Sequence, residues 1–175
     1  LELCAHGVGT HTESAWHIDV DGPAPFEAAP LGVVLAQLLR LTPEPRGEDR
    51  VLTAAQLQVE PGVQALVVDA GTAGPYSGTN PPYFEVAALA ALRAQGVEHL
   101  LTELPSIDRE DDGEVRGHRA FFDGGGKTVT ELCALDGVPA GLYALALQLP
   151  PLVTDAVPAR PILYPPLDAP LESPT

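Results

Sequence analysis

The sequence predicts an α/β protein with few helices, and three observations carry that reading. From Val63 to Leu101 it passes through a short β-branched apolar run, an apolar helical pattern and a second short apolar run. That order is a βαβ unit, whose two strands lie parallel. Three further apolar runs, Leu31–Leu41, Thr128–Leu132 and Leu142–Leu149, are bounded by turn residues and read as strands. Helical patterns are short and separated by Pro- and Gly-rich turns.

Taken in order, the chain opens on Ala5–His17, which holds three of the five histidines. Gly7 and Gly9 permit positive φ, and Thr10 and Thr12 flank His11 with β-branched residues that favour an extended backbone. In an extended segment alternate side chains share a face, so His11 and Glu13 point the same way. A turn at Ser14–Trp16 brings His17 back over the same place. Asp19–Pro30 reads as a surface loop. Periodicity alone does not separate helix from strand in Leu31–Leu41, but Val33-Val34-Leu35 after Gly32 favours strand. Pro43–Arg50 reads as a polar turn, and Thr53-Ala54-Ala55-Gln56 as a capping box opening a short helix that ends at Pro61-Gly62.

Val63–Asp69 is expected to be a buried strand leading into a long loop, Ala70–Pro82, that contains Gly71, Gly74, Gly78 and three prolines. Loops of that length in a compact domain are often functional. Tyr83–Gln95 reads as a helix capped by Gly96, and Val97–Leu101 as the next strand. Thr102–Gly117 carries six acidic residues against Arg109 and Arg116, the composition of a solvated loop. A short helical turn at His118–Phe122, a turn at Gly124–Gly126, and strands at Thr128–Leu132 and Leu142–Leu149 complete the order. The Pro-rich 150–175 segment is read as a wrapping tail.

At 175 residues, with 45% hydrophobic and 19% charged, the chain is expected to form one globular domain. Nine basic residues against 24 acidic ones give a net charge of −15. So acidic a surface repels phosphate backbones, which argues against nucleic-acid binding. No apolar run reaches membrane-spanning length, so no membrane partner is expected. Cys4 and Cys133 form no CxxC pair, and a reducing, cytoplasmic setting is the simpler reading, with one disulfide left open. With no methionine and a motif beginning at once, the chain is expected to lack its native N-terminal segment.

An imidazole and a carboxylate on one face, His11 and Glu13, can hold a divalent transition metal. His118 and Glu131 offer a second such pair from the other half of the chain. The alternatives are a polar histidine-rich loop, an exposed loop histidine at His118 and a strand-edge carboxylate at Glu131. A mixed His/carboxylate set admits Zn or Mn without choosing between them. Asp108 could orient a histidine or cap the following turn. Tyr76 and Asn80, in the long loop, are candidate substrate contacts or ordinary turn residues, with Asp108 a third candidate contact. His99, at a strand start, reads as structural or exposed.

The run Gly9-Thr10-His11-x-Glu13-x-x-x-His17 resembles the signature of the cyclase-like metal hydrolases, the family that contains bacterial kynurenine formamidase and isatin hydrolase. That signature is written His-x-Gly-Thr-His-x-Asp-x-Pro-x-His. The resemblance continues in Thr79-Asn80-Pro81-Pro82, Leu104-Pro105-Ser106-Ile107-Asp108, His118-Arg119 and Gly141-Leu142-Tyr143, from about His6 to Leu163. Three positions depart from it: Gly7 stands at the first His, with His6 one step away, Glu13 replaces Asp, and Ala15 replaces Pro.

The resemblance implies a mixed sheet with few helices, the swivelling β/β/α domain. It implies metal ligands at His11, Glu13, His118 and Glu131, with Glu13 bridging where two metals are present, and proton transfer by His17. Glu131 belongs to both the metal set and the catalytic set. With Gly7 in the first position, three outcomes are open: His6 swings in, one metal is lost, or binding fails. The expected activity is metal-dependent hydrolysis of an amide bond, formamide or cyclic amide, in a small molecule, by a homo-oligomer. Competing readings are a non-catalytic binding protein on a degenerated scaffold and a metal-free lyase or dehydratase.

Overall fold

A computed structural model describes residues 4–7, 9–19, 21–71 and 79–166. Strand β1 (His11–Ser14) is followed by a 3-10 turn at Ala15–His17 and the one-turn helix α1 (Pro25–Ala28). Next come β2 (Val33–Arg40), β3 (Glu44–Arg46), β4 (Asp49–Leu52) and β5 (Ala65–Asp69). Then β6 (Tyr83–Phe84) leads into α2 (Val86–Leu92), β7 (His99–Thr102) and α3 (Arg116–Asp123). The order closes with β8 (Thr128–Glu131), β9 (Gly141–Gln148), β10 (Ala156–Pro158) and β11 (Arg160–Tyr164).

Eight strands make one mixed sheet in the order β10-β1-β8-β7-β5-β2-β9-β11. The central four, β8, β7, β5 and β2, are parallel, and antiparallel strands finish both sides. The expected βαβ unit is β5–α2–β7, and β7–α3–β8 repeats it. Parallel strands are covered on both faces, and β5 is buried at all five positions. Its alternation divides two cores. Leu66 and Val68 join Leu89 and Leu92 of α2 and Phe121 of α3 in one, and Ala65 and Val67 join Leu38, Leu101 and Leu145 in the other. Each such buried large side chain contributes about 1.5–3 kcal/mol.

The sheet is curled. β10 and β11 occupy its opposite edges, yet Ala159 alone separates them. Two Cα–Cα steps span at most about 7.6 Å, so both edges are brought together through one residue. Ala159 itself donates its N–H to the Thr10 carbonyl at 3.0 Å. A second, three-stranded sheet, β3-β4-β6, lies apart from it.

Several expectations are corrected. The stretch read as a wrapping tail supplies both edge strands of the large sheet as far as Tyr164. Pro43–Arg50, read as a turn, forms β3 and the start of β4 around Gly47. The Thr53–Gln56 box does form its reciprocal bond, Thr53 N–H to Gln56 Oε1 at 3.0 Å, but no helix follows. The amides of Val59 and Glu60 go instead to the side chains of Gln95 and Gln37. The helix expected from Tyr83 starts at Val86, because Tyr83 and Phe84 pair with β4. Gly96 does cap the end of that segment, with φ +91°. Asp19–Pro30, read as loop, contains α1. Among the described residues no helix is long and apolar enough to cross a membrane.

Candidate metal centre

The ends of β7 and β8 that carry the site are their C-terminal ends, where open α/β sheets place ligands. β1 lies antiparallel to β8 with His11 opposite Glu131. Glu13 is two residues along, on the same face of a strand buried at all four positions. The His11 ring donates from Nδ1 to the Gly9 carbonyl at 2.9 Å. Gly9, at φ +124°, holds a conformation that side-chain-bearing residues rarely adopt. The other ring nitrogen, Nε2, is left facing Glu13 Oε1 and Glu131 Oε2, each at 3.5 Å.

The second imidazole comes from α3, whose N-cap, Val115, offers no side-chain bond. Asp108, in the loop after β7, takes over. Its carboxylate accepts from the Gly117 N–H, from the His118 N–H at 3.3 Å and from His118 Nδ1 at 2.6 Å. A Cβ at position 117 would collide with that carboxylate and with Leu89, so only glycine allows the approach. His118 Nε2 therefore faces Glu13 Oε2 at 3.5 Å and Glu131 Oε1 at 3.6 Å. The two roles open for Asp108 in the sequence are both met by one group. With its oxygens so engaged and the residue buried, it sits behind His118 and not on the open side.

Separations of 3.5–3.6 Å are charge contacts, too long for hydrogen bonds. Burial opposes charge on His11, but Glu13 and Glu131 outweigh it and push the imidazole up to about 10. Burial likewise opposes charge on His118, where Asp108, Glu131 and Glu13 push it up to about 10. Burial also works against the Glu13 carboxylate, yet His11, His6, His118 and His17 hold it well below the usual range.

A second pair of histidines lies on the solvent side. His6, on the 3-10 turn Ala5–Gly7, places Nδ1 3.6 Å from Glu13 Oε1 and Nε2 3.2 Å from Asp155 Oδ2. His17 places Nε2 3.4 Å from Glu13 Oε2 and Nδ1 3.6 Å from Asp155 Oδ2. The four rings are in mutual contact, with centroids 4.9–5.3 Å apart along the series His11, His6, His17, His118. Asp155 was not foreseen. Its signal is faint: it is the only acidic residue between Asp136 and Asp168.

The residues fit a divalent ion. Among the described residues, His11 Nε2, His118 Nε2 and Glu13 Oε2 are buried without a hydrogen-bond partner, a costly state for polar atoms. Both histidines have Nδ1 committed to an oxygen, which fixes the tautomer that presents Nε2 as a ligand. Among the described residues, three groups bring one ligand atom per residue within 4.8 Å of one another: His6, His11 and Glu13; Glu13, His17 and His118; and His6, His17 and Asp155. Glu13 belongs to the first two. Glu131 joins none of them, since its oxygens go separately to His11 and His118, and Oε1 also accepts from the Ile107 N–H at 2.8 Å.

Of the other candidates, Asn80 bonds to Glu48, Arg50 and Glu110, and Tyr76 lies outside the described residues. His99 is structural: it is buried, and its Nδ1 bonds Thr128 Oγ1 at 2.8 Å. Both cysteines are free. A cavity of about 430 Å³ inside the curl, lined in part by Val67, Leu101, Leu135 and Leu163, contains none of the clustered histidines.

Known proteins share this architecture. A structure described as a potential metal-dependent hydrolase with cyclase activity superposes with TM-score 0.76 at 24% identity, over 93% of this chain and 80% of its own. A "predicted metal-dependent hydrolase" from Bacillus stearothermophilus gives TM-score 0.72 at 26% identity, over 93% and 78%. An isatin hydrolase bound to the product analogue thioisatinate gives 0.63 at 14%, over 91% and 72%. No curated protein sequence matches significantly. The family model described as "Putative cyclase" matches residues 1–109, a span that holds His6, His11, Glu13 and His17. With that match over more than half its length, and the same curled mixed sheet beneath it, the chain belongs to the cyclase family.

Proposed function

We propose that the chain is a metal-dependent hydrolase that cleaves an amide bond, a formamide or a cyclic amide, in a small molecule. The observation that carries this is the pair of buried, partnerless Nε2 atoms of His11 and His118, each aimed at carboxylates and each fixed by a bond on its Nδ1. The family and its structural neighbours described as metal-dependent hydrolases support the same reading.

Glu13, shared between His11 on one side and His118 on the other, would provide the inner donors with these two rings, with Glu131 and His6 beside them, and Zn or Mn suits this donor set. When bound, such an ion supplies a hydroxide near neutral pH and polarises the carbonyl to be attacked. His17 is half-buried on the solvent side with Nε2 toward Glu13, so it carries the proton between the attacking water and the leaving amine. Asp108 positions His118. Glu131 orients both inner histidines.

The test is metal analysis of the purified chain, followed by a panel of N-formyl aromatic amines and cyclic amides. Stoichiometric Zn or Mn together with turnover of one of these classes is the expected result. A chain that takes up no divalent metal and turns over neither class overturns this reading.

A further inference from the structure

The inner histidines are committed to one tautomer, but His6 and His17 are not. Each places one ring nitrogen toward Glu13 and the other toward Asp155. A neutral imidazole has one lone pair and one N–H, so neither ring can serve a cation on both sides at once. If the outer nitrogens, His6 Nε2 and His17 Nδ1, carry the lone pairs, the inner N–H groups point at the two oxygens of Glu13. That arrangement leaves the inner centre to Glu13 and the two inner rings, His11 and His118. It also leaves two imidazole nitrogens and Asp155 Oδ2 converging on a point outside it. His17 Nδ1 is itself buried without a hydrogen-bond partner.

We propose that His6, His17 and Asp155 form a second, outer site for a divalent transition-metal ion. Two imidazoles and one carboxylate, with room for water, is a donor set for zinc-like ions. The outer side chains are 33%, 24% and 46% exposed, against 1% for Glu13 and 3% for His118. The outer site is therefore the weaker of the two. A cation there replaces the proton that His6 shares with Asp155 and occupies the lone pair of His17. With Nε2 keeping its proton, His17 can no longer accept one, so outer occupancy inhibits turnover. The inhibition rests on His17 being the proton carrier; the binding does not.

The experiment uses the full chain, stripped by a chelator and titrated with Zn²⁺ alone in a calorimeter, with the ring nitrogens of its five histidines followed by NMR. Two binding events are expected, the tighter moving His11 and His118 and the weaker moving His6 and His17. Asp155→Asn should weaken the second event by at least about tenfold and leave the first in place, and Asp155→Glu should restore it. In an activity assay, the fall in turnover between one and two equivalents of zinc should vanish in Asp155→Asn. A single event in the unaltered chain that moves His11 and His118 but not His6 and His17 overturns the outer site. So does a second event indifferent to Asp155→Asn, or movement of His6 and His17 during the first event. Absence of the tight event alone, with a weak event still lost in Asp155→Asn, would sink the proposed inner centre and uphold the outer one.

Discussion

The two ends of strands β7 and β8 place buried histidines in opposite surroundings. At the N-terminal end, His99 is fully covered and its ring meets a hydroxyl, Thr128 Oγ1. Burial there dominates, with Lys127 and Arg93 adding to it against Glu98, and pushes the imidazole down to about 4. At the C-terminal end, His11 and His118 are equally covered but face carboxylates, and both are pushed up to about 10. Burial alone therefore makes a neutral, structural histidine. What makes a site is the pair of carboxylates, Glu13 and Glu131, buried along with the rings.

The comparison is broken most completely by His11→Ala. This variant should lose the tightly held metal, and activity with it, as read by metal content after dialysis. His17→Ala sharpens it from the other side: the tightly held metal should stay while turnover falls by roughly 10²–10⁴-fold, the range for losing general acid–base catalysis. Equal metal loss in both variants would make His17 an inner ligand.

His99 provides the pH test. Its folded pKa lies below the unfolded value of 6.5, so between pH 6.5 and 4 the unfolded chain binds the proton first. Stability should thus fall on acidification through that window, by about 3 kcal/mol in all. Unfolding free energies from denaturant titrations of the unaltered chain and of His99→Gln, measured from pH 7 to 4, should diverge by that amount, and parallel curves would contradict the assignment. The smallest effect is expected from Asp108→Asn, which leaves every ligand in place but loosens the His118 tautomer. Metal affinity should drop about 10–100-fold, and an unchanged affinity would show that helix capping is all Asp108 does.

What could be read from the sequence was local. Alternation in an extended strand put His11 and Glu13 on one face, and the βαβ order gave the parallel core. His118 and Glu131 were found by type and order, although nothing in their neighbourhoods says that β8 is an interior strand. The misses share a cause, since each was decided by a distant partner. Asp155 and the two edge strands sit in Pro-rich sequence whose pairing partners, β1 and β9, no local pattern reveals. The Thr53–Gln56 box carried a sound local signal that side chains from Gln37 and Gln95 overrode. His6 stands one step out of register in sequence, yet its 3-10 turn brings it to Glu13.

The position of β1 also bears on how the chain folds. Both of its neighbours, β8 and β10, come from far along the sequence; Glu13 pairs with Val129 on one side and Ala156 on the other. As the chain is synthesised, the histidine-bearing strand waits unpaired while β2, β5 and β7 can already assemble. Closing loops of that length slows folding and leaves intermediates exposed to aggregation. The −15 net charge suits such a wait, because like-charged chains repel one another before the strand is covered. The strand that carries His11 and Glu13 is thus made well before either strand that covers it.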